Sequence, residues 1–258
     1  RDSVASRGLV DVYKRQTLNG ESLDVDAYNT TLSASGETGE NGLLLPSLAA
    51  HNTIDIDAWC HYSTTGEGLH RAVDAADGTV YLYSQCEPAD SKRVFACFDQ
   101  PDLKAPIDLT VTAPAGWEII SNSSIATSTP AESPIYADVD AVTHHFQVTN
   151  PLCPYVFALC AGPYHRWSDT YHWHGDDGRE ITIPLNLYCR ETLAPYFDPD
   201  NIFALTKGGF DYYHRTFGIL YPFTGSYDQV FVPDFNAGAM ENVGSVSYTH
   251  LRAHETLR

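Results

Sequence analysis

Tyr227-Asp228-Gln229-Val230-Phe231-Val232-Pro233-Asp234-Phe235-Asn236-Ala237-Gly238-Ala239-Met240-Glu241-Asn242 is the stretch from which the rest of the chain is read. Its apolar centre, Val230 to Val232, reads as a strand, and Pro233, Asn236 and Gly238 turn it into a loop that carries one carboxylate, Glu241. Taken alone, Glu241 is a solvated loop carboxylate. Upstream, Asp198-Pro199-Asp200-Asn201 offers an N-cap ahead of Ile202, Leu205, Tyr213 and Phe217, a looser helical spacing that stops at Gly218, with Gly208-Gly209 weakening its middle. Further back, residues 168 to 190 alternate, with Ile181, Ile183, Leu185 and Leu187 on one face. Residues 168 to 246 therefore read as the first layer of an α+β domain.

The earlier part has a different rhythm. From Asn52 to Ser63, Ile54, Ile56, Ala58, Cys60 and Tyr62 alternate with Thr53, Asp55, Asp57, Trp59 and His61, the period of a strand with one buried face. Ile107, Leu109 and Val111 repeat it. Val80 to Tyr83, Glu118 to Ile120 and Val156 to Leu159 are further short segments between Gly, Pro, Asn and Ser clusters, so residues 17 to 167 read as antiparallel sheet. Ala126 to Pro134, rich in Ser, Thr and Pro, reads as a surface loop. No internal repeat is evident.

With 258 residues, 43% hydrophobic and 12% aromatic, the chain has enough apolar material for one large or two ordinary cores. No apolar run is long enough to span a bilayer, and no signal-peptide pattern opens the chain. Residue 1 is arginine and Met240 is the one methionine, so the native start is expected to lie elsewhere. Leu9 to Gln16 and Ser247 to Arg258 resemble translated sequencing-adapter read-through, and residues 1–16 and 247–258 are expected to be non-native tails. Between them, residues 17 to 246 carry 9 basic against 30 acidic side chains. Such a surface repels phosphate backbones and anionic lipid, which argues against nucleic acid or membrane partners, and attracts cations such as peptide amino termini. The six cysteines form no C-x-x-C pair, and read as free thiols in a reducing compartment.

The run Gly238 to Asn242, G-A-M-E-N, resembles the exopeptidase signature of the aminopeptidase N family of zinc metallopeptidases, the gluzincins, and its approach from Tyr227 resembles that family too. A second block, Gln85-Cys86-Glu87-Pro88-Ala89-Asp90, running on through Arg93-Val94-Phe95-Ala96-Cys97-Phe98-Asp99-Gln100-Pro101-Asp102, matches the family's other N-terminal landmark. Leu109 to Trp117, Ser121-Asn122-Ser123 and Ala161-Gly162-Pro163-Tyr164 extend the likeness over roughly residues 17 to 246. Thr64 to Arg71, leading into Tyr81-Leu82-Tyr83, resembles the bacterial cytoplasmic members. The resemblance implies a mostly β, saddle-like antiparallel domain over 17–167, its beginning cut away near Leu18-Asn19-Gly20. After it would come the first part of a thermolysin-like α+β peptidase domain over 168–246.

An exopeptidase has to tell a chain end from an internal peptide bond, and the group that marks that end is a protonated α-amine, which a carboxylate meets. By resemblance, Glu241 and Glu87 are that pair, from two domains, and Gln85 lines the first side-chain pocket. Gly238 and Ala239 would pair their backbone with extended substrate, Ala237 would sit at the pocket's edge, and Met240 and Asn242 complete the set, Met240 as a packing residue.

The family's catalytic zinc is held by H-E-x-x-H and a distal Glu. The sixteen residues after Asn242 supply no such motif: His254-Glu255 begins one, but its partner position is Arg258. His172-Trp173-His174 could chelate at i, i+2 but has no third ligand near in sequence, and His144-His145 point to opposite faces of any strand. The chain is thus expected to carry the amine-recognition half of a zinc aminopeptidase acting on peptides with a free N-terminus. It would hold no catalytic residue and bind no zinc itself, and so be inactive alone. Two alternative readings meet contrary residues. The related leukotriene-forming epoxide hydrolase reads G-G-M-E-N, against Ala239 here; a non-catalytic scaffold would have no amine to bind, against retention of both glutamates.

Overall fold

The computed structural model describes residues 3–5, 10–23, 29–32, 40–45, 48–133, 138–223 and 225–249. Among the described residues strand predominates and there is one α-helix, and these residues fall into two compact units. The first takes residues up to 70, with 84–105 and 153–157; the second takes 71–83, 106–152 and 158 onward. The strand Tyr164–His174 runs through the 167/168 limit drawn from sequence.

In the first unit, Val10–Leu18 pairs antiparallel with both Glu21–Ser22 and Ile54–Cys60. The Asn19-Gly20 turn joins the first two with φ of 55° and 84°, the left-handed pair that Asn-Gly supplies to a tight hairpin. Along Ile54–Cys60 the isoleucines are half-buried and the aspartates exposed, as the alternation requires. Leu18, Leu23 and Leu45 form a small core against which Ile54, Ile56 and Ala96 pack. The residues Val10 to Gln16, set aside as foreign, lie within the paired strand. An open sheet edge pairs through main-chain groups and so accepts many sequences.

The second unit holds Thr110–Pro114, Asp140–Phe146 and Ile125–Glu132 as an antiparallel sheet. Here the sequence reading needs correction, because Ala126 to Glu132 is an edge strand and not a loop. Thr127 and Thr129 are β-branched, and Ser128 Oγ lies 2.9 Å from His144 Nδ1 across the ladder. Pro130 is tolerated because an edge strand has one unpaired side. Leu159–Gly162 pairs with Glu118–Ser121 and with the Leu82-Tyr83 end of Val80–Gln85, whereas of Val156 to Leu159, expected as strand, only Leu159 is in one, and Val156 ends the 3-10 turn Pro154–Val156.

A five-stranded mixed sheet, in the order Tyr164–His174, Glu180–Arg190, Tyr227–Phe231, Ser245–Tyr248, Ala239–Met240, dominates this unit. Tyr164–His174 and Glu180–Arg190 form a long hairpin; Tyr227–Phe231 lies parallel to both Glu180–Arg190 and Ser245–Tyr248. A parallel return needs a long crossover, and the helix Pro199–Phe217 supplies it. Asp198 caps it by accepting from Asn201 N–H at 3.3 Å, and Gly218 ends it at φ 66°. Both ends match the sequence reading; the buried face does not. Of Ile202, Leu205, Tyr213 and Phe217, Ile202 alone is buried, while Leu205, Tyr213 and Phe217 are 65%, 58% and 64% exposed. The inward stripe is Ile202, Phe203, Phe210 and His214, seated on Tyr171, Ile183, Leu185 and Leu187.

Two glycines of this helix test its grammar in opposite directions. A Cβ on either Gly208 or Gly218 would meet no atom within 4 Å, so backbone preference decides. G208A is expected to stabilise by about 0.5–1 kcal/mol, and G218A, at positive φ, to cost about 1 kcal/mol. Thermal unfolding followed by circular dichroism would show melting shifts of opposite sign, about 2–4 °C each.

Candidate functional site

The loop singled out in the sequence is the open edge of the five-stranded sheet. After Tyr227–Phe231 the chain turns at Asp234, which has a φ of 55°, and comes back as Ala239–Met240, antiparallel to Ser245–Tyr248. Ala239 lies opposite Tyr248, Met240 opposite Ser247, and Thr249 N–H donates to the Gly238 carbonyl at 3.3 Å. In an antiparallel ladder such bonding alternates along the strand. Gly238 and Met240 therefore direct their main-chain groups at the neighbouring strand, and Ala239 turns its N–H and C=O to the open edge.

Side chains alternate in the same period. Met240 and Asn242 are 1% and 2% exposed, while Ala239 and Glu241 stand on the solvent side, as does Ala237. Met240 is thus the anchor that lets its neighbours be presented. Asn242 is buried with neither side-chain amide atom hydrogen-bonded among the described residues.

Both ends of the loop are braced. At its start, the fully buried Tyr83 donates its hydroxyl to the Asp234 carbonyl at 3.0 Å and meets the Phe235 ring edge-on at 5.5 Å. At its finish, the side chain of Asn122 donates to the Val243 carbonyl at 2.9 Å, and Asp228 N–H donates to the Gly244 carbonyl at 2.9 Å. Tyr83 and Asn122 fall in the family-like stretches of the sequence, where nothing local marks them as braces. Hydrogen bonds reaching 151 and 121 residues along the chain leave no periodic signal.

Gln85 and Glu87 stand together on the other unit. Gln85 ends the Val80–Gln85 strand half-buried, and Glu87 is exposed on the turn that follows. Within that unit the turn is tied by Asp90 N–H to the Cys86 carbonyl at 2.8 Å and by Arg93 to Asp90 at 2.5 Å. Arg93 also reaches Glu67 at 3.2 Å, and Phe95 meets Phe157 edge-on at 4.9 Å. Cys86, next to Glu87, is buried, which pushes its thiol up to about 12 and leaves it a packing group.

Among the described residues no three of His, Cys, Asp and Glu gather as metal ligands. The two histidine pairs are engaged otherwise. His172 and His174 lie 3.1 Å from Thr182 Oγ1 and 2.6 Å from Glu180 Oε1 across their hairpin, and His145 lies 2.9 Å from Thr110 Oγ1. The described residues therefore do not fit a catalytic zinc. His254, Glu255 and Arg258 lie outside them.

Comparison with known proteins gives this geometry its context. Residues 44–156 match the peptidase M1 N-terminal domain, and residues 203–253 match the peptidase family M1 domain. The chain is 43% identical over 232 residues to aminopeptidase N of Streptomyces lividans, covering 90% of this chain and 24% of that protein. It is 31% identical over 167 residues to aminopeptidase M1 of Arabidopsis thaliana (64% and 17%), and 27% identical over 198 residues to glutamyl aminopeptidase of Homo sapiens (76% and 19%). It spans about a quarter or less of the length of these relatives.

Elsewhere in the same unit, a cavity of about 410 Å³ is lined by Glu118, Arg166, Ser168, Asn186, Tyr188 and Asp228 among others. Asn186 Nδ2 donates to Asp228 Oδ1 at 2.7 Å, while Asn186 Oδ1 accepts from Arg166 Nη2 at 2.9 Å and Ser168 Oγ at 2.8 Å. Burial pushes the Asp228 carboxyl up to about 6, against lowering by Asn186, Ser226 and Arg166. The folded state thus holds this proton where the unfolded chain, titrating near 4, releases it. The stability this group contributes is full below about pH 4 and declines by about 2–3 kcal/mol as pH rises to about 6. D228N, which keeps an acceptor for Asn186, is expected to lack that decline. Urea unfolding of both proteins between pH 4 and 7 should give a difference curve that is steep up to about 6 and flat above.

Proposed function

Since this chain belongs to the peptidase M1 family of aminopeptidase N metallopeptidases, we propose that it is the amine-recognition portion of a zinc-dependent aminopeptidase that removes N-terminal residues from peptides. The observation that carries this reading is an exposed carboxylate, Glu241, two positions beyond an open main-chain edge at Ala239. An extended peptide adds to such an edge as a further strand, and the edge fixes its direction and register. Its terminal ammonium then comes to Glu241. By the family resemblance, Glu87 is the second carboxylate, and Gln85 and Ala237 are residues of the first side-chain pocket.

At an effective dielectric near 20, each contact near 4 Å between ammonium and carboxylate is worth about 4 kcal/mol before dehydration. An internal peptide bond brings no charge to offset the desolvation of two glutamates, so it is rejected. Met240 and Asn242 act by holding the strand. Zinc, when bound in the whole protein, supplies Lewis-acid activation of water; the described residues do not fit it, and this chain is expected to be inactive alone. All six cysteines are free thiols, which supports a reducing compartment and a cytoplasmic location. No helix among the described residues is long and apolar enough to cross a membrane.

Titration of the chain by NMR with a short peptide and with its N-acetylated counterpart tests the recognition step. The free amine is expected to bind at least about tenfold more tightly, and E241Q or E87Q to remove most of that preference, a change of about 1.4 kcal/mol or more. Equal binding of the two peptides by the unsubstituted chain would sink the reading. With zinc and an aminoacyl chromogenic substrate, no turnover is expected; substantial turnover would refute the inactivity of the chain.

A further inference from the structure

Asn122 sits just past the strand Glu118–Ser121, 5% exposed, and uses both ends of its amide. Its Oδ1 accepts from Ala158 N–H at 2.8 Å, and its Nδ2 donates to the Val243 carbonyl at 2.9 Å. Val243 lies two residues beyond Glu241. The next residue, Gly244, has a φ of 75°, and a Cβ there would come within 2.6 Å of the Asn122 carbonyl oxygen. The two main chains are therefore in direct contact at the one place where Gly244 lets the loop turn into Ser245–Tyr248.

The chemistry of that contact calls for a carboxamide, which Asn122 supplies. One planar group has to donate to a carbonyl on one side and accept from an N–H on the other. Aspartate has no donor at neutral pH, leucine has neither function, and serine is too short to reach both. On its outer side Glu241 has solvent, so its direction is set by what holds the loop from behind.

We propose that Asn122 is a positioning residue for Glu241, and that its bond to Val243 aims the carboxylate at the substrate's ammonium. The proposal rests on the amine-recognition reading above. It adds to that reading the claim that selectivity for a free N-terminus depends on a side chain that touches no substrate. Without the Val243 bond the Glu241-Asn242-Val243 segment loses the side-chain brace that Asn122 gives it, and the carboxylate samples several directions. A brace that merely stabilised the fold would lower the melting temperature and leave discrimination between free and blocked peptides as it was.

The test uses the whole chain with N122A and N122D. The aspartate variant is isosteric, keeps an acceptor for Ala158 N–H and loses the donor to Val243, so it carries the experiment if N122A fails to fold. Two quantities are read: amide hydrogen exchange, and the affinity ratio between a short free-amine peptide and its N-acetylated form. Both variants are expected to exchange faster across residues 239–245, with exchange in Glu180–Arg190 unchanged, and to lower the affinity ratio about fivefold or more. Unchanged exchange across 239–245 in N122D, or faster exchange with an undiminished ratio, would overturn the proposal. If the unsubstituted chain shows no preference for the free amine, the recognition reading itself fails, and the positioning role falls with it even where exchange shows the brace to be real.

Discussion

The parallel pairing of Tyr227–Phe231 with Glu180–Arg190 is the constraint on which the second unit depends. Leu185 lies opposite Tyr227 and Leu187 opposite Gln229, and Leu185, Leu187 and Cys189 show no exposed surface. Such a strand pair cannot be joined by a tight turn, so the chain has to leave the sheet and return, and Pro199–Phe217 is that return. The helix is held by what it covers. Ile202 and Phe203 bury against the sheet, Phe210 stacks on Tyr171 at 5.2 Å, and His214 is enclosed by Tyr171, Trp173 and Phe210. Burial of each large apolar side chain is worth about 1.5–3 kcal/mol, more than any capping interaction at the helix ends.

The same constraint produces the functional edge. Ser245–Tyr248 also runs parallel to Tyr227–Phe231, so the chain between them has to double back, and the doubled-back piece is Ala239–Met240 on the far side of Ser245–Tyr248. An edge strand leaves alternate main-chain groups unpaired, which most proteins shield because it invites pairing with another chain. Here the exposed groups belong to Ala239, beside Glu241, in a run too short to template a sheet. Tyr83 and Asn122 hold the two ends of that run from other strands of the unit. A loop with solvent on one face thereby acquires a defined direction.

How much was legible in the chain follows from the range of each interaction. The Asp198 cap, the Gly218 stop and the alternation of Ile54 to Ala58 are local rules, and the structure repeats them. The helix face was misjudged because its apolar residues lie all around it, so spacing alone gave no unique stripe. The sheet chose Phe203, Phe210 and His214 because those positions meet Tyr171 and Trp173, leaving Leu205 and Phe217 exposed. Ala126 to Pro134 reads as a loop because Ser, Thr and Pro are common in loops. Pairing with Asp140–Phe146 makes Ile125–Glu132 a strand through main-chain bonds that composition does not record.

By itself the sequence determined the family, the strand alternation and the two ends of the helix, since each of these is written in contiguous runs such as Gly238 to Asn242 or Asp198 to Asn201. Only the tertiary structure decided that Ala239 opens its main chain at an edge, that Met240 turns inward while Glu241 faces solvent, and that Asn122 grips Val243. The physical reason is that a sheet edge and a buried amide bridge come into being only when segments more than a hundred residues apart are packed together, and no local pattern encodes which of them will meet.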